Sequence, residues 1–178
     1  MVISLANLLA FVSRPRRADE NDVWLRHLLT TSEIKKDRLR HPKIWQNGFK
    51  APPRGLFRRR WTLEMSGRLL SRVAGIERFA VAKANGARLK HQNSSAKFSG
   101  VIFANVAHIR AASGTDGTFD VYQTHAEGDR AHADLTLTSP KMVGGEVSIE
   151  VWESIYNTVL LALPSSAELA RLEGLGNH

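Results

Sequence analysis

The sequence predicts an α+β protein: a helical, basic N-terminal half, then a three- to four-stranded antiparallel meander over about residues 79–138. C-terminal helices are expected to cover the apolar face of the meander. Three observations predict this arrangement. Apolar and polar residues alternate strictly up to residue 138, apolar residues recur at helical spacing on both sides of the meander, and charge is distributed unevenly along the chain.

The clearest strand prediction covers residues 131–138, AHADLTLT, in which apolar and polar side chains alternate without exception. A period of two is typical of a strand with one buried face. Residues 118–125 alternate in the same way and predict a second strand. The link between them, AEGDR at 126–130, contains turn residues and has hairpin length.

The register of this hairpin follows from the alternation, because a slip of one residue would turn every side chain to the wrong face. Pairing the strands symmetrically about Gly128 keeps all apolar residues on one side. The predicted pairs are Phe119–Leu137, Asp120–Thr136, Val121–Leu135, Tyr122–Asp134 and Thr124–His132. A third strand, over residues 101–110, is predicted to complete the meander and to place His108 opposite Asp120.

Helices are predicted where apolar residues recur at spacings of three and four. In the N-terminal half these are a helix starting at residues 19–22, a basic helix after the capping pattern TTSE at 30–33, and a helix over 62–74. In the C-terminal half they are a helix over 149–163 and a last helix. The last helix opens with the capping pattern SSAE and ends near Gly174.

Length and composition fit one compact domain, or one domain with an appended helical part. We place the boundary after residue 50, which gives an N-terminal helical region at 1–50 and an α+β core domain at 51–178. The chain contains no cysteine, which excludes disulfides and thiolate metal sites. Residues 1–12 are apolar but shorter than a membrane span needs, so a cytoplasmic protein with no membrane partner is expected.

Charge separates the two halves of the chain. Residues 35–90 hold 16 Lys and Arg against three acids, a balance of +13. Residues 99–178 hold four basic residues against ten acids, a balance of −6. An asymmetry of this kind indicates a partner of opposite charge more than it indicates a fold.

The basic segment mixes guanidinium groups with aromatic rings, a combination suited to phosphates and stacked bases. We therefore predict that it binds nucleic acid, DNA or RNA. An ordinary solvated basic face and an acidic protein partner remain as alternatives. The predicted docking residues are Lys50, Arg54, Arg58, Arg59, Arg60, Trp61, Arg68 and Arg72.

The polar face of the meander supports a second hypothesis, a small nuclease or phosphoesterase. Imidazole and carboxylate groups on one face can bind a divalent metal or act as an acid–base pair. The residues assigned to this chemistry are His108, Asp120, His132 and Asp134. A wet sheet face with no function carries the same residue types, so that alternative stays open.

The primary prediction is thus a nucleic-acid-binding protein without a cofactor, and a divalent metal enters only under the nuclease hypothesis. A third hypothesis is an interaction or inhibitor module with an acidic partner. In the primary prediction, the acidic C-terminal half provides a surface for a protein partner or an interface between copies of the chain.

Overall fold

The structure, a computed structural model, describes residues 15–28, 34–35, 38–39, 48–52, 62–73, 99–124, 129–164 and 166–174. Within these residues the chain is mostly sheet. The strands are β1 (Arg16–Arg17), β2 (Val23–Leu28), β3 (Ile34–Lys35), β4 (Arg38–Leu39), β5 (Leu63–Leu69), β6 (Gly100–Asn105), β7 (Thr118–Gln123), β8 (His132–Thr138), β9 (Met142–Val143), β10 (Glu146–Val147) and β11 (Leu160–Ala162). The helices are α1 (Val106–Ala111), α2 (Ile149–Tyr156) and α3 (Ala167–Gly174), and a 3-10 turn at Leu70–Arg72 follows β5.

Seven of these strands form one antiparallel sheet in the order β1-β7-β8-β5-β2-β6-β11. Two short hairpins, β3–β4 and β9–β10, stand apart from it. The helical N-terminal half predicted from the sequence is wrong, because β2 and β5 lie in the middle of this sheet. The basic helix expected after residue 33 is also wrong, since β3 and β4 occupy that part of the chain.

The wrong helix predictions have a physical cause in β2. Trp24 and Leu25 point to opposite faces of the sheet, and both are buried. A strand that is buried on both faces loses its alternation of apolar and polar residues. Its apolar residues then recur at spacings that fit a helix equally well.

The predicted register of β7 and β8 is confirmed. Val121 lies opposite Leu135 and Tyr122 lies opposite Asp134, as the alternation required. The predicted third strand is present in its first half, as β6, but its continuation to residue 110 and its place in the meander are wrong: β6 ends at Asn105 and pairs with β2 and β11 instead of β7. The chain then enters α1, where the Asn105 side chain accepts a hydrogen bond of 2.8 Å from the Ala107 N–H, as a helix N-cap does.

The C-terminal prediction is correct in part. Helix α2 stops at Tyr156, and the continuation predicted to 163 is replaced by strand β11. Helix α3 ends at Gly174 as predicted, and the Ser166 hydroxyl accepts a hydrogen bond of 3.1 Å from the Leu169 N–H in its first turn. Gly144 and Gly145 form the positive-φ turn of the β9–β10 hairpin (φ 58° and 87°).

The first face of the seven-stranded sheet carries the larger core. Apolar residues of β2, β5, β6, β7 and β8 pack there against α1 and α2, and Phe49 stacks on Trp152 with ring centroids 5.2 Å apart. Trp24 lies across Gly67, where a Cβ atom would come within 2.4 Å of the indole ring. The absence of a side chain at Gly67 lets the Trp24 indole N–H donate to the Ala133 carbonyl, 3.2 Å away on β8.

The second face is divided into two halves. Over β2, β6 and β11 it is apolar, and α3 covers it with Leu169 and Leu172. Over β7, β8 and β5 it is polar, since Thr124, His132, Asp134 and Arg68 lie on that side.

Several predictions remain untested. Residues 1–12, the start of the predicted meander near residue 79 and the hairpin turn about Gly128 lie outside the described residues. The predicted boundary after residue 50 also stays a prediction. None of the described helices is long and apolar enough to cross a membrane.

Candidate functional site

The residues predicted to dock nucleic acid are only partly described. Lys50 and Arg72 are exposed and form no ion pair with a described residue. They lie near opposite ends of β5, because the Lys50 backbone pairs with Glu64 whereas Arg72 follows the last residue of the strand. Arg54, Arg58, Arg59, Arg60 and Trp61 lie outside the described residues.

Arg68 has a different environment from the one predicted. It lies on strand β5 and not on the helix predicted over 62–74. Its Nε atom donates to Asp129 Oδ2 at 2.7 Å, and its Nη1 atom lies 3.1 Å from His27 Nδ1. A guanidinium group only donates hydrogen bonds, so His27 Nδ1 accepts and the His27 proton resides on Nε2. Arg68 therefore belongs to the internal polar structure of the sheet.

The four residues of the nuclease hypothesis do not come together. His108 is exposed on helix α1, whereas Asp120, His132 and Asp134 lie on strands. Asp120 is held by two cations, with Arg17 Nε and Arg110 Nε each 2.7 Å from one of its oxygens. Arg110, and not His108, is the α1 residue that reaches this carboxylate.

His132 and Asp134 remain together and share a third partner, Thr124. The Thr124 hydroxyl lies 2.7 Å from Asp134 Oδ2 and 2.7 Å from His132 Nδ1. Asp134 and Thr124 are buried, with 2% and 4% of their surface exposed, and the His132 side chain keeps 20% exposed. The imidazole thus forms the accessible end of a hydrogen-bonded set whose other two members are inside the protein.

His132, Asp134 and Thr124 lie on the same face of the sheet as Arg68 and its two partners. Arg68 lies directly opposite His132, and cross-strand neighbours are about 5 Å apart. We call this group the polar cluster. Its members are His27, Arg68, Thr124, Asp129, His132 and Asp134.

Three of the six members of the polar cluster, Thr124, His132 and Asp134, could be placed together from the sequence. The predicted hairpin register already placed Thr124 opposite His132, so a hydroxyl beside the imidazole was foreseeable. Arg68, His27 and Asp129 were missed as cluster members because the long-range pairing of β5 with β8 and β2 leaves no local pattern. Among the described residues, no group of three or more His, Asp or Glu has the arrangement of a metal site.

Comparisons with protein families, with curated proteins and with solved structures found no match. The chemistry of the described residues is therefore the basis of the functional argument.

Proposed function

We propose that the protein binds nucleic acid and docks phosphates on basic side chains of residues 50–72. The observation that carries this proposal is the concentration of cations, a balance of +13 over residues 35–90. Lys50 and Arg72 support it, since both are exposed and neither forms an ion pair with a described residue. Phosphates attract such unneutralised cations through the release of condensed counterions.

Arg68 takes no part in the primary docking surface. Two of its three guanidinium nitrogens already contact Asp129 and His27. A cation neutralised by an internal carboxylate releases few counterions when a phosphate approaches. The docking proposal therefore depends on the remaining cations of the segment.

Two further arginines extend the proposed surface beyond the residues found by sequence. Arg16 is exposed on β1 and pairs with the last residue of β7. Arg130 is exposed just before β8, where the Ala131 carbonyl accepts a hydrogen bond from the Leu69 N–H. Both lie at the end of the sheet where β5 runs into Arg72, and neither forms an ion pair with a described residue. These three arginines give that end of the sheet a basic rim.

The salt dependence of binding tests the proposal. A labelled oligonucleotide is titrated across a salt series with the wild type and with Arg58→Gln/Arg59→Gln. The expected result is a steep loss of affinity with salt in the wild type. In the variant the slope of log K against log salt falls by roughly 1.4 to 1.8, because each phosphate contact contributes about 0.7 to 0.9.

The matched control removes the same charge from the acidic half. Lys141→Gln/Arg171→Gln is expected to leave the slope unchanged, whereas Arg16→Gln/Arg130→Gln is expected to lower it if the basic rim takes part. Equal effects of the Arg58/Arg59 variant and the Lys141/Arg171 control would overturn the assignment to residues 50–72. Absence of wild-type binding at about 50 mM salt would overturn the proposed function itself.

A further inference from the structure

The contact between His132, Thr124 and Asp134 fixes the proton positions of the imidazole. A carboxylate only accepts hydrogen bonds, and a hydroxyl has one proton to donate. The Thr124 hydroxyl therefore donates to Asp134 Oδ2, at 2.7 Å, and accepts from His132 Nδ1–H, also at 2.7 Å. In the neutral imidazole the Nδ1 atom carries the proton, so the Nε2 atom holds a lone pair available to accept one.

A buried carboxylate lies beside the nitrogen atom that would accept the proton. Asp134 Oδ1 has no hydrogen-bond partner among the described residues and lies 3.8 Å from His132 Nε2. The carboxylate lies on the Nε2 side of the ring, and a negative charge there stabilises the imidazolium that forms when Nε2 accepts a proton. A buried acceptor without a hydrogen bond is costly to maintain, which is typical of sites with a chemical role.

Arg68 supplies a fixed cation beside the imidazole. Asp129 and His27 hold its Nε and Nη1 atoms, and the Nη2 atom has no hydrogen bond to a described residue. Because Arg68 lies directly opposite His132 on the neighbouring strand, a phosphoryl oxygen bound at Nη2 would be near the imidazole. A guanidinium held by two partners is already oriented for such a contact.

We propose that the polar cluster is a site for RNA cleavage in which His132 is the general base. This inference rests on the proposed binding of nucleic acid. RNA is the substrate class because it carries its own nucleophile, the 2′-hydroxyl, next to the scissile phosphate. A single base then suffices to start the reaction.

The reaction is a transphosphorylation. The 2′-hydroxyl gives its proton to His132 Nε2, the O2′–P bond forms, and the P–O5′ bond breaks. The departing 5′ oxygen takes a proton from water, and the imidazolium returns its proton to solvent. The products are a 2′,3′-cyclic phosphate and a 5′-hydroxyl, and the step requires no redox partner. Arg68 stabilises the charge on the phosphoryl oxygens.

The test separates cleavage from binding by using two oligonucleotides of one sequence. Unmodified RNA, incubated with excess EDTA, reports cleavage and the cyclic phosphate end. The 2′-O-methyl form lacks the nucleophile and reports binding alone. The wild type is expected to cleave the unmodified RNA and to leave DNA intact. In His132→Ala the cleavage rate falls by about 100-fold or more, binding of the 2′-O-methyl form is unchanged, and added imidazole restores part of the rate.

Three further variants distinguish chemistry from structure. His108→Ala removes an exposed imidazole from helix α1 and is expected to leave the rate unchanged. Thr124 is a positioning residue: Thr124→Val removes the hydroxyl and is expected to lower kcat by about 10-fold or more with KM unchanged. Thr124→Ser retains the hydroxyl and is expected to recover most of that loss.

The outcomes separate this inference from the proposed function. Wild-type binding of the 2′-O-methyl oligonucleotide without cleavage of RNA in EDTA would overturn the RNA-cleavage site and leave the binding proposal intact. An equal loss of rate in His108→Ala and His132→Ala would also overturn it. A third outcome is that the Arg58→Gln/Arg59→Gln variant binds as tightly as the wild type and still cleaves RNA. That result would overturn the docking assignment and support the cleavage site.

Discussion

The two halves of the second sheet face are stabilised in different ways. Over β2, β6 and β11, side chains such as Leu25, Val101 and Phe103 are buried beneath Leu169 and Leu172 of α3. The contacts there are apolar and without direction, and each fully buried aliphatic side chain contributes about 1.5 to 3 kcal/mol. A substitution in this half is expected to affect stability alone.

Over β7, β8 and β5 the same face is organised by hydrogen bonds and ion pairs. Thr124, Asp134 and Arg68 each have directional partners, and a hydrogen bond contributes only about 0.5 to 1.5 kcal/mol net. These contacts fix the positions of individual atoms but contribute little to the free energy of unfolding. The polar half therefore determines local geometry, while the apolar half provides most of the free energy of folding on this face.

The apolar half gives the largest expected effect. Leu172→Ala, at a position with 1% exposure, is expected to lower the free energy of unfolding by about 2 to 4 kcal/mol, because it removes buried methyl groups and leaves a cavity. Urea denaturation measures the change. The neighbouring exposed position provides the control, and Arg171→Ala is expected to change stability by less than about 0.5 kcal/mol. Similar values for the two variants would show that α3 does not cover the sheet.

The polar half is expected to give a smaller effect that depends on a partner. Arg68→Met removes the ion pair with Asp129, whose side chain is 24% exposed, as against 19% for Arg68. Because both side chains are partly exposed to water, the free energy of unfolding is expected to fall by only about 1 to 2 kcal/mol. Arg130→Met, at an exposed position without a described ion pair, is the control and is expected to cost less than about 0.5 kcal/mol.

A double-mutant cycle sharpens this second prediction. If the cost of Arg68→Met arises from leaving Asp129 unpaired, the same substitution costs less in an Asp129→Asn background. The coupling free energy is obtained from urea denaturation of the four proteins. A coupling near zero would mean that Arg68 acts through packing of its aliphatic stem, and the contrast between the two halves would lose its basis.

The same contrast explains what the sequence could predict. The β7–β8 hairpin is local, and one of its faces is polar, so alternation determined both its existence and its register. Strands β2 and β5 pair with distant segments, and β2 is buried on both faces, so no local alternation marked it as a strand. Local pattern therefore favoured a helix at β2, where non-local pairing produces a strand. Strand β5 does alternate, since Leu63, Met65 and Leu69 fall on one face and Glu64, Ser66 and Arg68 on the other.

Two residues in the sequence indicate features of the observed structure that the predicted fold lacks. Asn105 precedes a helix as an N-cap residue, which would have ended the predicted third strand five residues earlier than 110. Gly67 takes an apolar position in the alternation of residues 63–69, LEMSGRL, and a glycine inside a strand often marks a close approach of another group, here the Trp24 indole. The cluster formed by Arg68 and His132 had no such local signal, since it exists only after β5 pairs with β8.

The smallest effect compares two arginines that bind one carboxylate within the polar half. Arg17 Nε and Arg110 Nε each lie 2.7 Å from an Asp120 oxygen, but their side chains are 61% and 18% exposed. Arg110 also donates from Nη2 to the Ala18 carbonyl at 2.6 Å. Arg110→Ala is therefore expected to cost about 1 kcal/mol, because it removes two hydrogen bonds from a partly buried site. Arg17→Ala is expected to cost less than about 0.5 kcal/mol, since water replaces an exposed cation with little loss. Urea denaturation of the two variants under identical conditions measures the difference, and equal losses would show that charge, and not burial, determines the strength of polar contacts on this face.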